Sequence, residues 1–501
     1  MINRTLTALL FFLLYALTVS SQVFINEFMA SNRSAYWDND LKSYSDWIEL
    51  YNAGPEKVDI GGYYITDNLN RTRKWTIATG TIIEAKGYLV LWADNGIEGS
   101  HLGFALNIDI EEIGLYTSNL EPVDIVEYSG QHVNVSYGRC LDGAADWCYF
   151  GEHSAGRTNG KDRGAATITY AAKPEFSLHG GLYAGDQLIR IKTIAPSIIR
   201  YTTDGSDVRF DAPTYSQAIH IANTTVIKAK SYVAGKLPSA TVSNTYFIDE
   251  IHKLPIFSIS TDGNNLWDPD IGIYINGSGY DGEDWRTANY QQFWHRPAFV
   301  EYYSTQEGLR YSSNAELKVF GSFTSRYGQK PLTLYFEEPA KTRWNIFKLR
   351  GVTPYRSLVL RNSGQDWIRT MICDGLFNSL VMDVMDIDAQ AYKPSVLYIN
   401  GDYWGIHNIR EKVNEEHFGN LYNVDPTRIL LQKRLGSTGQ AELDSLLSYV
   451  QSHDMSLSAN MKRVREFMEV DEYLNYMVAE LYSANMDWPK NNVRMWKKEG
   501  S

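Results

Sequence analysis

The sequence predicts a multidomain chain, two β-sandwich modules followed by an α+β domain, and three observations predict it. The length of 501 residues corresponds to about three domains at roughly 150 residues each. Short strands of alternating character, separated by Gly and Pro turns, fill the first half. From Leu254 strands give way to helical periodicities, apolar at Trp367, Met371, Ile372, Leu376 and Leu380 and again at Leu443, Leu446, Leu447 and Val450. Hydrophobic residues at 44% and aromatic residues at 13% exclude a disordered chain. A net charge of −12 lacks the basic footprint of a nucleic-acid binder, so no nucleic-acid partner is expected. Three cysteines exclude a disulfide scaffold and a Cys-rich zinc module.

Residues 1–21 read as an export signal. Arg4 supplies the positive start, Leu6 to Val19 is an apolar run, and Val19-Ser20-Ser21 offers small residues for cleavage before Gln22. The competing reading is an uncleaved anchor, but the run of 14 residues is short for a hydrocarbon layer of about 30 Å. No later stretch approaches the ~18 consecutive apolar residues of a spanning helix, so the mature chain is expected to lack a transmembrane segment and to be secreted or held at the cell surface. In an oxidising compartment Cys140 and Cys148 are either a local disulfide or two free thiols, with Cys373 unpaired.

In 22–159, Trp47-Ile48-Glu49-Leu50-Tyr51 and Tyr88-Leu89-Val90-Leu91-Trp92 alternate as strands, with turns at Gly54-Pro55 and Gly61-Gly62. Over Ile25 to Asn32, Asp46 to Asn52 and Gly62 to Asp67 the segment resembles the lamin-tail domain family, immunoglobulin-like modules of many secreted bacterial proteins. That resemblance implies adhesion or display. Glu27, Asp46 and Glu49 read as solvent-facing charges at strand ends, with a cation site as the alternative. Gly156 to Gly164 reads as a linker. In 173–249 an Asp204-Gly205 turn follows a strand, and Thr224 to Lys230 alternates strongly. With Pro174, Tyr215 and Tyr246-Phe247-Ile248, these residues resemble the sandwich appended to chitobiases and β-hexosaminidases. The resemblance implies a structural companion or a polysaccharide-binding accessory, and no glycosidase carboxylate pair stands out.

The segment 254–501 opens with Asn265-Leu266-Trp267-Asp268-Pro269-Asp270 and Gly272 to Gly277. These residues resemble the start of the CotH kinase family of atypical protein kinases. The likeness continues at Gly321, Ser325-Arg326 and Lys330, at Leu360 to Asp366, at Tyr398 to Ile406 with Arg410-Glu411-Lys412, and at Met486 to Asn492. It implies an atypical protein-kinase-like α+β fold that transfers the γ-phosphoryl of ATP, with Mg²⁺ or Mn²⁺, to Ser or Thr hydroxyls of a secreted or surface protein.

Phosphoryl transfer needs cations on the phosphates, a metal held by oxygen donors and a group to orient the attacking hydroxyl. Asp487 and Asn492 stand five apart, as do the catalytic-loop Asp and Asn of protein kinases, which makes Asp487 the proton acceptor and Asn492 a metal ligand, with Asn491 the alternative ligand. They follow a helix expected over Val470 to Asn485, and the competing reading is a helix end capped by Asn485 and stopped by Pro489. Lys330 is the expected phosphate contact, Arg326 the alternative cation, and Glu411 the ion-pair partner of Lys330; the competing readings are an edge-protecting Lys and a surface salt bridge. Asp366 reads as a helix cap before a site residue, and His295 as structural. The family implies a second metal-binding Asp beyond Asn492, and Met495 to Ser501 reads as a domain cut short. The rival class is a non-catalytic surface protein whose sandwiches bind polysaccharide or proteins.

Overall fold

The computed structural model describes residues 22–500 except 161, 195, 341–345, 348–354, 433–439, 487 and 490–492. The first module is a two-sheet sandwich. One sheet runs in the order Trp147–Phe150, Ser136–Arg139, Val23–Met29, Asp46–Asn52, Tyr88–Ala93 and His101–Leu102. The other pairs Pro122–Ser129, Ile110–Tyr116, Tyr64–Thr66 and Trp75–Thr76. Inward residues of both, among them Ile25, Phe28, Ile48, Leu50, Ile65, Leu91, Ile113 and Leu115, form one core. Cys140 and Cys148 form a disulfide beside the Gly138–Cys148 pair, and Cys373 is free.

Two expectations are corrected here. Glu27 and Glu49 are fully buried, not solvent-facing, and Asp46 is half-buried, accepting from the Asn32 amide at 3.0 Å. The expected linker is the reason, because its first residues fold back over the sheet. Ser154 donates to Glu27 through its amide and hydroxyl, the Gly156 amide donates to Glu49 at 2.6 Å, and Asn159 is itself fully buried. Desolvation raises both carboxyl pKa values, that of Glu49 to about 9.

The second module has a four-stranded sheet ordered Gly181–Tyr183, Val242–Ile248, Thr225–Tyr232 and Ile198–Thr202, over a core including Ile189, Ile199, Ile221, Ile227 and Tyr246. Gly205 in the Asp-Gly turn has φ +78°, a conformation that glycine adopts without a Cβ penalty.

The third region is a closed seven-stranded barrel with helices around it. Its strands are β1 (Ile256–Ser260), β2 (Arg296–Ser304), β3 (Gly308–Val319), β4 (Leu332–Ala340), β5 (Tyr355–Arg361), β6 (Tyr392–Ile399) and β7 (Asp402–Glu411). The order is β1-β2-β3-β4-β5-β7-β6, with β6 parallel to β1 closing the ring. Phe257, Ile259, Val300, Leu317, Leu334, Leu358, Leu360, Leu397 and Ile409 fill it. Among the described residues the helices of eight residues or more are α1 (Cys373–Val381), α2 (Glu415–Tyr422), α3 (Gln440–Ser452), α4 (Ser458–Phe467) and α5 (Val470–Tyr482). The periodicity from Trp367 overran its helix: Trp367 lies in a 3-10 turn, and Met371 has φ +63°, so α1 begins only at Cys373. On α5, Leu474, Val478 and Leu481 are exposed. Among the described residues no helix is long and apolar enough to cross a membrane.

Candidate active site

The Gly321–Lys330 segment joins β3 to β4 at one end of the barrel, and a polar network gathers there. Lys330 is buried. Its Nζ donates to the carbonyls of Ser325 at 2.6 Å and Tyr327 at 3.3 Å, and lies 4.1 Å from the centre of the Tyr290 ring. Its amide donates to the Tyr274 hydroxyl, which also accepts from the Trp404 indole at 2.7 Å. Burial pushes the ammonium down to about 8. Gln329 accepts from the Trp367 indole and donates to the Trp404 carbonyl, each at 2.6 Å, while Asn362 donates to the Gln329 carbonyl at 2.6 Å. The segment is therefore held from β5, β7 and the turn after β5 at once.

Arg326 differs from Lys330. It is exposed, its guanidinium rests near the rings of Phe323 and Trp285, and among the described residues no carboxylate reaches it within 4 Å. Arg326 presents its charge to solvent, whereas Lys330 has two carbonyls already on its ammonium.

The expected Lys330–Glu411 ion pair is not formed. The Glu411 carboxylate accepts from the Ala391 amide at 2.9 Å and stands 3.8 Å from His417 Nδ1. The register explains this. His407 Nε2 meets the Lys330 carbonyl at 3.1 Å, and Glu411 lies four residues farther along β7, about 13 Å at the strand rise. His407 is wholly buried and pushed down to about 4 by desolvation, so it is neutral at pH 7.

Sequence reasoning missed a second charged cluster. Asp374, in the first turn of α1, takes Arg410 Nη1 at 2.9 Å and Arg361 Nε at 2.7 Å. Arg410 is buried, which lowers its pKa. Arg410 follows the barrel-lining Ile409 and so lies on the outer face of its strand beneath α1, where its burial demands a carboxylate that the sequence does not name. Asp366 is not the N-cap it was read to be, since it lies within the Gly364–Ile368 turn and the cap position of α1 is Ile372; its carboxylate accepts from the Cys373 amide at 3.0 Å and from Thr370. Burial raises that carboxyl, but these donors outweigh it and hold it at about 2. His295 pairs with Glu316 at 2.7 Å.

Asp487, Asn491 and Asn492 lie outside the described residues. On one side of them, the Asn485 amide donates to the Glu480 carbonyl at the end of α5, with Ala484 at φ +50°. On the other, Arg494 donates to the Val413 carbonyl and Met495–Lys498 pairs with Ile429–Gln432, so the chain returns to the barrel beside the end of β7.

Three family models match the chain. CotH kinase protein matches residues 317–501, Lamin Tail Domain residues 17–130, and the Chitobiase/beta-hexosaminidase C-terminal domain residues 178–243. Residues 317–501 are therefore similar to the CotH kinase protein family. The CotH match takes in the Gly321–Lys330 segment, the Asp374 cluster and the Asp487–Asn492 stretch. The comparison with curated proteins gave no match.

Proposed function

We propose that the chain is an exported kinase that transfers the γ-phosphoryl of ATP to Ser or Thr hydroxyls of secreted or surface proteins. The observation that carries this reading is the CotH kinase protein match over 317–501. In this reading the substrate oxygen attacks the γ-phosphorus, the bond to the β–γ bridging oxygen breaks, and Asp487 accepts the hydroxyl proton. Arg326 contacts the phosphates from the solvent side, and Lys330 fixes the loop that presents it. A carboxylate and the amides Asn492 or Asn491 are the oxygen donors that suit Mg²⁺ or Mn²⁺, and the ion's chemistry is charge neutralisation on the phosphates.

The test is transfer of label from γ-labelled ATP to secreted proteins by the full chain, with Mg²⁺ or Mn²⁺. Asp487→Ala is expected to lower the rate by about a hundredfold or more. Undiminished transfer by that variant would sink the assignment.

One observation favours a second reading, glycan binding by a surface protein. A cleft of about 470 Å³ lies where the second module meets the barrel region, lined by Tyr201, Thr203, Asp204, Asp207, Arg209 and Asp262. Retention on polysaccharide that Asp204→Ala abolishes, without any phosphotransfer, would support it.

A further inference from the structure

At the edge of the first sandwich, far in sequence from the proposed kinase residues, Asp38, Asp94 and His101 bring three ligand atoms within 4.8 Å of one another. His101 opens the edge strand, in register with Trp92, and Asp94 follows directly on the paired strand Tyr88–Ala93. Asp38 sits in the loop that crosses this edge.

Each carboxylate is anchored by one oxygen and leaves the other to the cluster. Asp38 Oδ1 accepts from the amides of Asp40 and Leu41 at 2.8 and 3.3 Å, and Asp94 Oδ1 accepts from the Gly96 amide at 2.8 Å. Asp94 Oδ2 lies 2.6 Å from His101 Nδ1. Asp38 Oδ2 lies 3.9 Å from the same nitrogen, on a side chain with 0% exposure, and has no hydrogen-bond partner. A fully buried carboxylate oxygen without a donor is costly unless it is protonated or meets a cation. On the far side of the ring, Asp40 Oδ2 stands 3.5 Å from His101 Nε2. That is the arrangement in which an outer carboxylate orients a metal-binding imidazole and leaves the other nitrogen for the ion.

We propose that Asp38 Oδ2, Asp94 Oδ2 and His101 Nδ1 bind a divalent transition-metal ion, with Asp40 as a positioning residue on Nε2. Two carboxylates and one imidazole suit Zn²⁺ or Mn²⁺, whereas Ca²⁺ asks for about six to eight oxygens. The ion has a structural consequence. Trp37, the neighbour of Asp38, lies 3.7 Å from the buried Arg296 guanidinium at the start of β2 and packs on Tyr44 and Trp294. A metal holding Asp38 to the sandwich edge thereby fixes the loop through which the first module grips the barrel.

The full chain, stripped with EDTA and kept in excess Mg²⁺ to occupy hard-cation sites, is titrated calorimetrically with Zn²⁺. One equivalent is expected to bind, the stoichiometric uptake to be lost in Asp38→Asn and His101→Ala, and the affinity of Asp40→Asn to fall about 10- to 100-fold. Circular dichroism checks that each variant folds. Should they not, the unaltered chain decides: Zn²⁺ is expected to slow modification of His101 by diethyl pyrocarbonate, read by peptide mass. No uptake by the unaltered chain, uptake unchanged in a folded His101→Ala, or an unprotected His101 overturns the proposal.

Discussion

Lys330→Met tests whether the ammonium at the barrel mouth is a fold-stabilising charge or one retained at a cost. Desolvation moves its titration from 10.5 to about 8. At roughly 1.4 kcal/mol per pH unit the charged form carries a penalty of about 3 kcal/mol in the folded chain. Opposing it, removal of the amine leaves the carbonyls of Ser325 and Tyr327 without their donor, at about 1–3 kcal/mol each. The two effects oppose each other, so Lys330→Met should change stability at pH 7 by no more than about 3 kcal/mol. The pH dependence is more telling. The penalty falls on the protonated state, so it is complete below pH 8 and disappears as the pH rises through 10.5, where the unfolded chain also gives up its proton. The stability of the unaltered chain relative to Lys330→Met should therefore rise by roughly 2–3 kcal/mol between pH 7 and pH 10. Urea unfolding followed by tryptophan fluorescence measures this, and the comparison cancels the tyrosine titrations common to both proteins. A difference that stays flat over that range refutes the reasoning, because Lys330 would then not be desolvated.

Other outcomes follow from the same physical accounting. Asp374→Ala strands the buried Arg410 and should cost about 3–5 kcal/mol in urea unfolding, while Asp374→Asn, which keeps one acceptor, should cost less. Glu49 has a folded pKa raised by burial to about 9, so the stability it contributes is full below its ordinary 4.5 and is lost as the pH rises toward 9. Glu49→Gln should accordingly raise the melting temperature at pH 8 and flatten its fall between pH 5 and 9; a variant less stable at pH 8 would contradict this. Replacing Cys140 and Cys148 together by Ser opens a loop of separation 8 and should cost about 2.5 kcal/mol, a loss absent when the unaltered chain is compared with Cys373→Ser.

The strands were legible in the sequence because short runs of aromatic and branched apolar residues are bounded by Gly, Pro and Asn turns. Trp47 to Tyr51 falls inside Asp46–Asn52, and Tyr88 to Trp92 inside Tyr88–Ala93. Closure of the barrel was not legible, because it depends on β6 meeting β1 across more than a hundred residues, a pairing no local pattern encodes. The polar positions were the least legible. Glu27 and Glu49 looked like surface charges until the segment 154–159 folded over them, and Glu411 looked like the partner of Lys330 until the register of β7 set them apart. In each case the partner comes from a distant stretch of chain, so composition and spacing name a need without naming what meets it. Asp38, Asp94 and His101 were missed likewise, as no metal-ligand spacing links them in sequence.

The contacts between modules bear on both readings of function. Glu301 of β2 is wholly buried and accepts from the Thr245 amide and hydroxyl and from the Tyr303 hydroxyl, and Thr245 belongs to the second module. Beside it Phe247 packs edge-on against Tyr303 and Tyr398 of the barrel. Cutting the chain between Asp249 and Leu254 would strip Glu301 of two donors and bare three aromatic rings, a loss on the scale of breaking a buried polar network. The second sandwich is therefore a wall of the barrel rather than a trailing accessory. A domain that needs this wall will be stable only with its sandwich attached, so failure of an excised 254–501 segment to bind nucleotide says nothing against the kinase reading. Thr245→Val, a change confined to the sandwich, separates the two in the full chain: if the sandwich merely accompanies the barrel, the barrel's unfolding midpoint is unchanged, whereas a shared core requires both modules to weaken together.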